Sequence, residues 1–217
     1  MRFFFIATIF FACITSSDLL AETTDWKSAR DDGDIRVFQR ELKGYSYKET
    51  YGQVQIKTTL AALVSLLNDV TAFKEWMHKC KYAITKDKIN LFERTDYMVI
   101  ESPIFITNRD VYIHSLVEYE QGAKQVTIKI NSDDSFLKNK NNVRIRELKG
   151  YWRFREVAPG YVDVHYQIIS DPNILFKYGA NQNMVKAVYS TLEKMKAMVV
   201  QNKYRQSTIL DSIPNGS

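Results

Sequence analysis

Asn108, Arg109 and Asp110 stand side by side, directly behind the apolar run Ile104-Phe105-Ile106. An amide, a guanidinium and a carboxylate so placed could bind an anion or move a proton. The plainer role is structural. Asn and Asp favour turns, and Arg beside Asp suits a salt bridge, so the cluster reads as a latch. His78 and Cys80 are two residues apart and would share a face of a strand, the minimum for a thiol and its base. A reactive thiol also needs a depressed pKa and a group that orients the base, and the sequence offers no third member. His114 and His165 have no partner at metal-ligand spacing, and neither HxxxH nor CxxC occurs. The carboxylate pairs Asp31-Asp32, Asp133-Asp134 and Glu118/Glu120 fall in expected turns or on polar faces. The glycines form no phosphate loop. Chemistry therefore points to no catalytic residue, no metal and no cofactor.

The elements that must position these residues follow from hydrophobic period. Residues 25–32 read as a short helix stopped by Gly33. Segments 35–42 and 45–58 alternate apolar and polar and predict a hairpin, with Gly52 marking a bulge or bend. Thr59 caps a helix over 60–70, and 72–77 continues as a second helical piece. Six strands follow, at 80–87, 91–101, 109–119, 125–132, 142–157 and 161–169. Their short turns argue for an antiparallel meander. From about 175 to 203 the period becomes helical again. Tyr178, Asn181, Val185, Val188, Leu192, Met195 and Val199 are spaced three and four apart, one face of a helix about 40 Å long. Asn181 is the polar exception on that face; it bonds either the backbone or a ligand. Residues 207–217 read as a loose tail. The whole is an α+β arrangement: a curved antiparallel sheet wrapped around one long helix. That arrangement leaves room for an internal apolar cavity.

Of the 217 residues, 1–21 read as a signal peptide. Arg2 is the positive end, FFFIATIFFACI the apolar stretch, and cleavage is expected after Ala21, with a domain over 22–206. Export, to a periplasm or beyond, is the expected route. Only Cys80 then remains, which excludes an intrachain disulfide. The net charge of +5 and the pI of about 9.0 favour transient contact with an anionic membrane surface. No nucleic-acid motif is present, so no nucleic-acid partner is expected.

Three segments carry a family resemblance. YMVIESPIFITNRDVYIHS (97–115) is similar to the strand, Pro-containing loop and Asn-Arg-Asp step of the START (StAR-related lipid-transfer) domains. GYWRFREVAPGYVDVHYQIISDP (150–172) resembles their Gly-x-Trp strand and the paired strand that ends in Asp-Pro. Asn181 and Thr191-Leu192 match positions in their last helix. The resemblance implies a helix-grip fold, a lipid or other hydrophobic molecule in an internal tunnel, and no chemical step. It departs at Leu175-Phe176, where members often have Ile-Pro, and at Ser115. Some lipid-transfer members place an inward Arg there, so this tunnel is expected to be less charged. The helix-grip group also includes cyclases and other enzymes of hydrophobic substrates, which is the rival reading.

Strand parity and the helical stripe name the expected tunnel lining. It comprises Met98, Ile100, Val111, Ile113, Ser115, Val117, Tyr166, Ile168, Asn181, Val185, Val188 and Leu192. His114 and His165 are expected to face outward. Ile104, Phe105 and Ile106 form the expected lid, with the first half of the last helix, and Asn108, Arg109 and Asp110 the latch beneath it.

Overall fold

The computed structural model describes residues 25–174 and 177–212. The expected leader 1–21, its cleavage point, the Leu175-Phe176 pair and residues 213–217 lie outside them. Alternating segments become the strands β1 Lys27–Asp31, β2 Ile35–Arg40, β3 Glu49–Lys57, β4 Cys80–Lys88 and β5 Glu93–Ile100. They continue as β6 Arg109–Glu120, β7 Gln125–Ser132, β8 Val143–Arg144, β9 Glu147–Ala158 and β10 Tyr161–Asp171. One sheet runs in the order β1-β2-β3-β10-β9-β7-β6-β5-β4. All neighbours on this path are antiparallel; β8 pairs in parallel with β6 at its start. The N-terminal hairpin is joined to the meander by the β3–β10 pair, in register from Tyr161 opposite Lys57 to Ile168 opposite Thr50.

Helix α1, Leu60–Asn68, begins where the Thr59 hydroxyl accepts the Ala62 N–H at 3.2 Å. A 3-10 turn, Val70–Ala72, leads into α2, Phe73–Trp76. The long helix α3, Lys177–Met198, is about 33 Å long. It buries Val185, Val188, Leu192 and Met195 and rests on β2 and β3. Gly52 lies beneath it. A Cβ there would collide with Val188 Cγ1 and come within 2.7 Å of Leu192 Cδ1, so the bare backbone is what lets the helix settle on the strand. The β2–β3 and β3–β10 ladders pass Gly52 with no register shift. The expected bulge is thus a close approach instead.

Other expectations change as well. Residues 25–32 form no helix. Lys27–Asp31 pairs with β2 through a tight turn, in which Asp31 Oδ1 accepts the Gly33 N–H (2.9 Å) and Gly33 takes φ +81°. Sheet pairing overrides the local helical signal of so short a polar stretch. The last helix stops at Met198 and restarts as α4, Asn202–Arg205, where Tyr204 is buried and donates to Asp69 Oδ2 at 2.8 Å. Tyr178, the first residue of the expected apolar stripe, is 70% exposed. The tail is not wholly loose: Ile209–Ser212 makes a 3-10 turn, and Ile209 and Leu210 pack against the core. Among the described residues, no helix is long and apolar enough to cross a membrane.

Candidate functional site

A cavity of about 680 Å³ opens between the concave face of the sheet and α3. Inward residues of the central strands make its floor. Met98 and Ile100 come from β5; Ile113, Ser115 and Val117 from β6; Tyr166 and Ile168 from β10. Ile128, Ile130 and Trp152 complete the floor from β7 and β9, and Met184, Ala187 and Val188 of α3 close it from above. The expected lining omits β7 and β9, though their alternation carries the same signal. Val111, Val185 and Leu192 do not border the cavity. They are packed into the surrounding core, because the ends of the strands and the underside of α3 meet other side chains before they meet the space. Asn181 does not border it either. Its Oδ1 accepts the Lys48 N–H at 3.0 Å, and its own carbonyl accepts from Gln39 Nε2 at 3.0 Å, so it ties α3 to the N-terminal hairpin.

One end of the cavity is charged. Arg94 of β5 donates from Nε to Asp96 Oδ2 at 2.8 Å, from one terminal nitrogen to Asn68 Oδ1, and from the other to the Leu67 carbonyl at 2.7 Å. Thr85 Oγ1 donates to Asp96 Oδ1 at 2.8 Å. Arg94, Asp96, Asn68 and Ser115 all border the space, and both charged side chains are more than nine-tenths buried. This corrects the expectation of a less charged tunnel. Ser115 is small, and Arg94 stands directly opposite it on the neighbouring strand. The guanidinium arrives from β5 rather than from β6. Parity along β5 placed Met98 and Ile100 inward, and the same period applied two and four residues earlier gives Asp96 and Arg94. A guanidinium has five donors, and three of Arg94's are committed to the protein. A neutral polar head that both donates and accepts suits such a pair.

The other end is the mouth. Pro103 and Ile106 border the cavity, whereas Ile104 is 82% exposed and Phe105 fully so. A turn closed by the Ile106 N–H on the Pro103 carbonyl (3.0 Å) holds Phe105 at φ +71°, a conformation that favours glycine. A bulky aromatic is thus kept, at a conformational cost, where it projects into solvent. The polar cluster behind it splits into two parts. Asn108 Oδ1 accepts the Ser102 N–H at 3.0 Å, and Arg109 bonds the Thr107 carbonyl (2.5 Å), Ser102 Oγ (3.3 Å) and the Pro172 carbonyl (3.3 Å). These two residues bracket the loop and tie it to the segment before α3. Asp110 faces the other way. It is fully buried and pairs with Arg144 of β8 at 3.0 Å, not with its neighbour Arg109, and it accepts from Tyr97 Oη at 3.0 Å.

Burial pushes the Cys80 thiol up to about 11, which holds it protonated near neutral pH. His78 borders the cavity; burial first, then Lys79, Lys194 and Lys186, lowers its pKa. Its backbone N–H donates to Thr191 Oγ1 at 3.1 Å, which seats the α2–β4 turn against α3. His114 lies near Glu93 at 3.2 Å and does not border the cavity. His165 is outside too, but it is half-buried rather than freely solvated, with Nδ1 2.9 Å from Tyr51 Oη and 2.6 Å from Arg153. Among the described residues, no cluster of His, Cys, Asp and Glu could hold a metal ion.

No family model matches the sequence. The uncharacterized protein PA1579 of Pseudomonas aeruginosa is 29% identical over 188 residues, spanning 84% of this chain and 89% of that one. A STAR-related lipid transfer protein from Xanthomonas axonopodis superimposes with a TM-score of 0.75 at 29% identity, over 81% of this chain and 99% of that structure. The chain has the START fold. Human STARD10 shares it at a TM-score of 0.72 and 15% identity, over 82% of this chain and 74% of that one. Human StAR-related lipid transfer protein 5 shares it at 0.69 and 12%, over 80% and 86%. The cavity lies under α3, and the 103–107 loop borders it through Pro103 and Ile106.

Proposed function

We propose that this START-fold chain binds one lipid or other hydrophobic molecule in the cavity, without a chemical step, and exchanges it at a membrane surface. The observation that carries this reading is the cavity itself: mostly aliphatic and aromatic walls, with one buried Arg94–Asp96 pair at the inner end. Removing apolar ligand surface from water supplies the driving force, about 25 cal/mol per Å². The paired charges orient a polar head, and the pairing spares each the cost of lone burial. The relatives named for lipid transfer support the ligand class.

Docking falls to the mouth. Ile104 and Phe105 project from the loop. The Glu101 N–H donates to the Lys79 carbonyl at 2.8 Å, so the loop begins beside the turn whose cations, with those of α3, surround His78. Apolar side chains entering the interface beside lysines suit an anionic bilayer. Fluorescent-lipid transfer between anionic vesicles tests this. Replacing Ile104 and Phe105 by Asp should abolish transfer and leave the melting temperature within a degree or so, since exposed sites change stability little. Transfer at the unaltered rate would refute the docking loop. We further propose that the chain is exported and cut after Ala21; the mass of the secreted protein reads the cut directly.

A further inference from the structure

Tyr166 sits on the opposite side of the cavity from the charged pair. Its ring lies flat against Trp152, 3.7 Å between centroids and 3° between planes, so its direction is fixed. Its hydroxyl makes no hydrogen bond to any described residue, although almost every polar group of the chain's interior is satisfied. Among the described residues, two side-chain atoms are sealed in protein without a partner, Trp76 Nε1 and Arg144 Nη1, and the Tyr166 oxygen is not one of them. A residue that borders the cavity, with an oxygen neither bonded nor sealed, presents that oxygen to the cavity. Burial pushes the phenol well above its ordinary range, so it stays a neutral donor and acceptor.

The ladder gives its position relative to Arg94. Arg94 faces Ser115, Ser115 faces Ile130, Ile130 faces Gly150, and Gly150 faces Ile168. Tyr166 is therefore one inward position away from the Arg94 row, on the far strand. From β5 to β10 the order passes β6, β7 and β9, about 19 Å along the curved sheet. Between the two lie Val117, Ile128, Ile130 and Trp152. Ser170, further along β10, also borders the cavity; it is buried, borders a second, smaller pocket as well, and lies on the far side of Ile168 from Tyr166.

We infer that the ligand is polar at two places: a head at Arg94–Asp96 and a second hydrogen-bonding oxygen that meets Tyr166 across an apolar middle. A hydroxyl, keto or ester oxygen far from the head satisfies this, and a simple one-headed chain does not. The inference rests on the cavity being the ligand site. Calorimetric titration with dodecanol, tetradecanol and hexadecanol, each against its α,ω-diol, tests it. At the chain length that spans the two groups, the diol should bind about fivefold tighter than the alcohol, the value of one ordinary buried hydrogen bond. On the Tyr166→Phe chain the order should reverse, because the second hydroxyl is then buried without a partner. Alcohols that bind as tightly as their diols at every length would overturn the inference and leave the cavity reading standing. So would a diol preference that survives in Tyr166→Phe. Failure of every alcohol and diol to bind would overturn the cavity reading, and the inference with it. The alcohol–diol comparison on the unaltered chain needs no variant, so a misfolded Tyr166→Phe chain does not block the test.

Discussion

Arg94 and Asp96 are the residues on which ligand orientation turns. A buried pair is costly to break and cheap to replace as a unit. Arg94→Met alone leaves the Asp96 carboxylate unpaired among apolar walls and should cost about 3–5 kcal/mol in denaturant unfolding. Arg94→Met combined with Asp96→Leu should recover most of that loss and, once Tyr166→Phe is added so that no other hydroxyl partner is left at the far end, bind an alkane as well as the matching alcohol. A triple variant that still prefers the alcohol would remove the pair from the site. The histidines set a second property at this scale. His78 and His165 both have folded-state pKa values below the ordinary 6.5, chiefly through burial. Folding then favours their neutral forms. Their contribution to stability is whole above the unfolded value and is lost as pH falls from about 6.5 toward the lower folded-state values. A melting temperature that drops over this window, and drops less in a His78→Gln/His165→Gln chain, is the expected result. A flat profile in the unaltered chain would contradict it.

At the scale of elements, two glycines decide how the sheet meets itself and its helix. A Cβ at Gly150 would collide with the Gln167 backbone oxygen and come within 2.9 Å of Ile168 Cα, all on the paired strand. At Gly52 the obstacles are the ends of two α3 side chains, Val188 and Leu192. Side-chain ends can shift and backbone cannot. Gly52→Ala should therefore cost the ordinary penalty of overpacking, about 1–3 kcal/mol, and Gly150→Ala clearly more, both read from chemical denaturation. An equal or reversed ranking would contradict the packing described. What was legible in the sequence at this scale was period. Alternation gave the strands β2 to β7 and β10, with β8 and β9 merged into one run over 142–157, and the inward parity of Met98, Ile100, Ile113, Ser115, Val117, Tyr166 and Ile168 toward the cavity. What period does not carry is depth. Val111, Val185 and Leu192 obey the same spacing but lie where neighbouring elements fill the space. Period is also weak in short polar stretches, so residues 25–32 carry a helical signal although Lys27–Asp31 pairs with β2. Pairing between distant charges has no sequence signature at all. Asp110 follows Arg109 in the sequence but is held by Arg144, and nothing in the spacing of Arg94 and Asp96 marks them as a pair.

For the whole molecule, the sheet, the helix and the cavity act as one device. Packing α3 onto β2 and β3 makes one wall, while the 103–107 loop, bracketed by Asn108 and Arg109, carries Ile104 and Phe105 into the solvent. The binding reading asks for no more than a dry space with oriented polar groups. The most direct test is native mass spectrometry of the purified chain before and after solvent extraction. The account predicts a mass one lipid-sized molecule above that of the bare chain, which extraction removes and an added hydrophobic ligand restores at one per chain. A bare chain at every stage, with no uptake of any added lipid, sterol or long-chain alcohol, would contradict it.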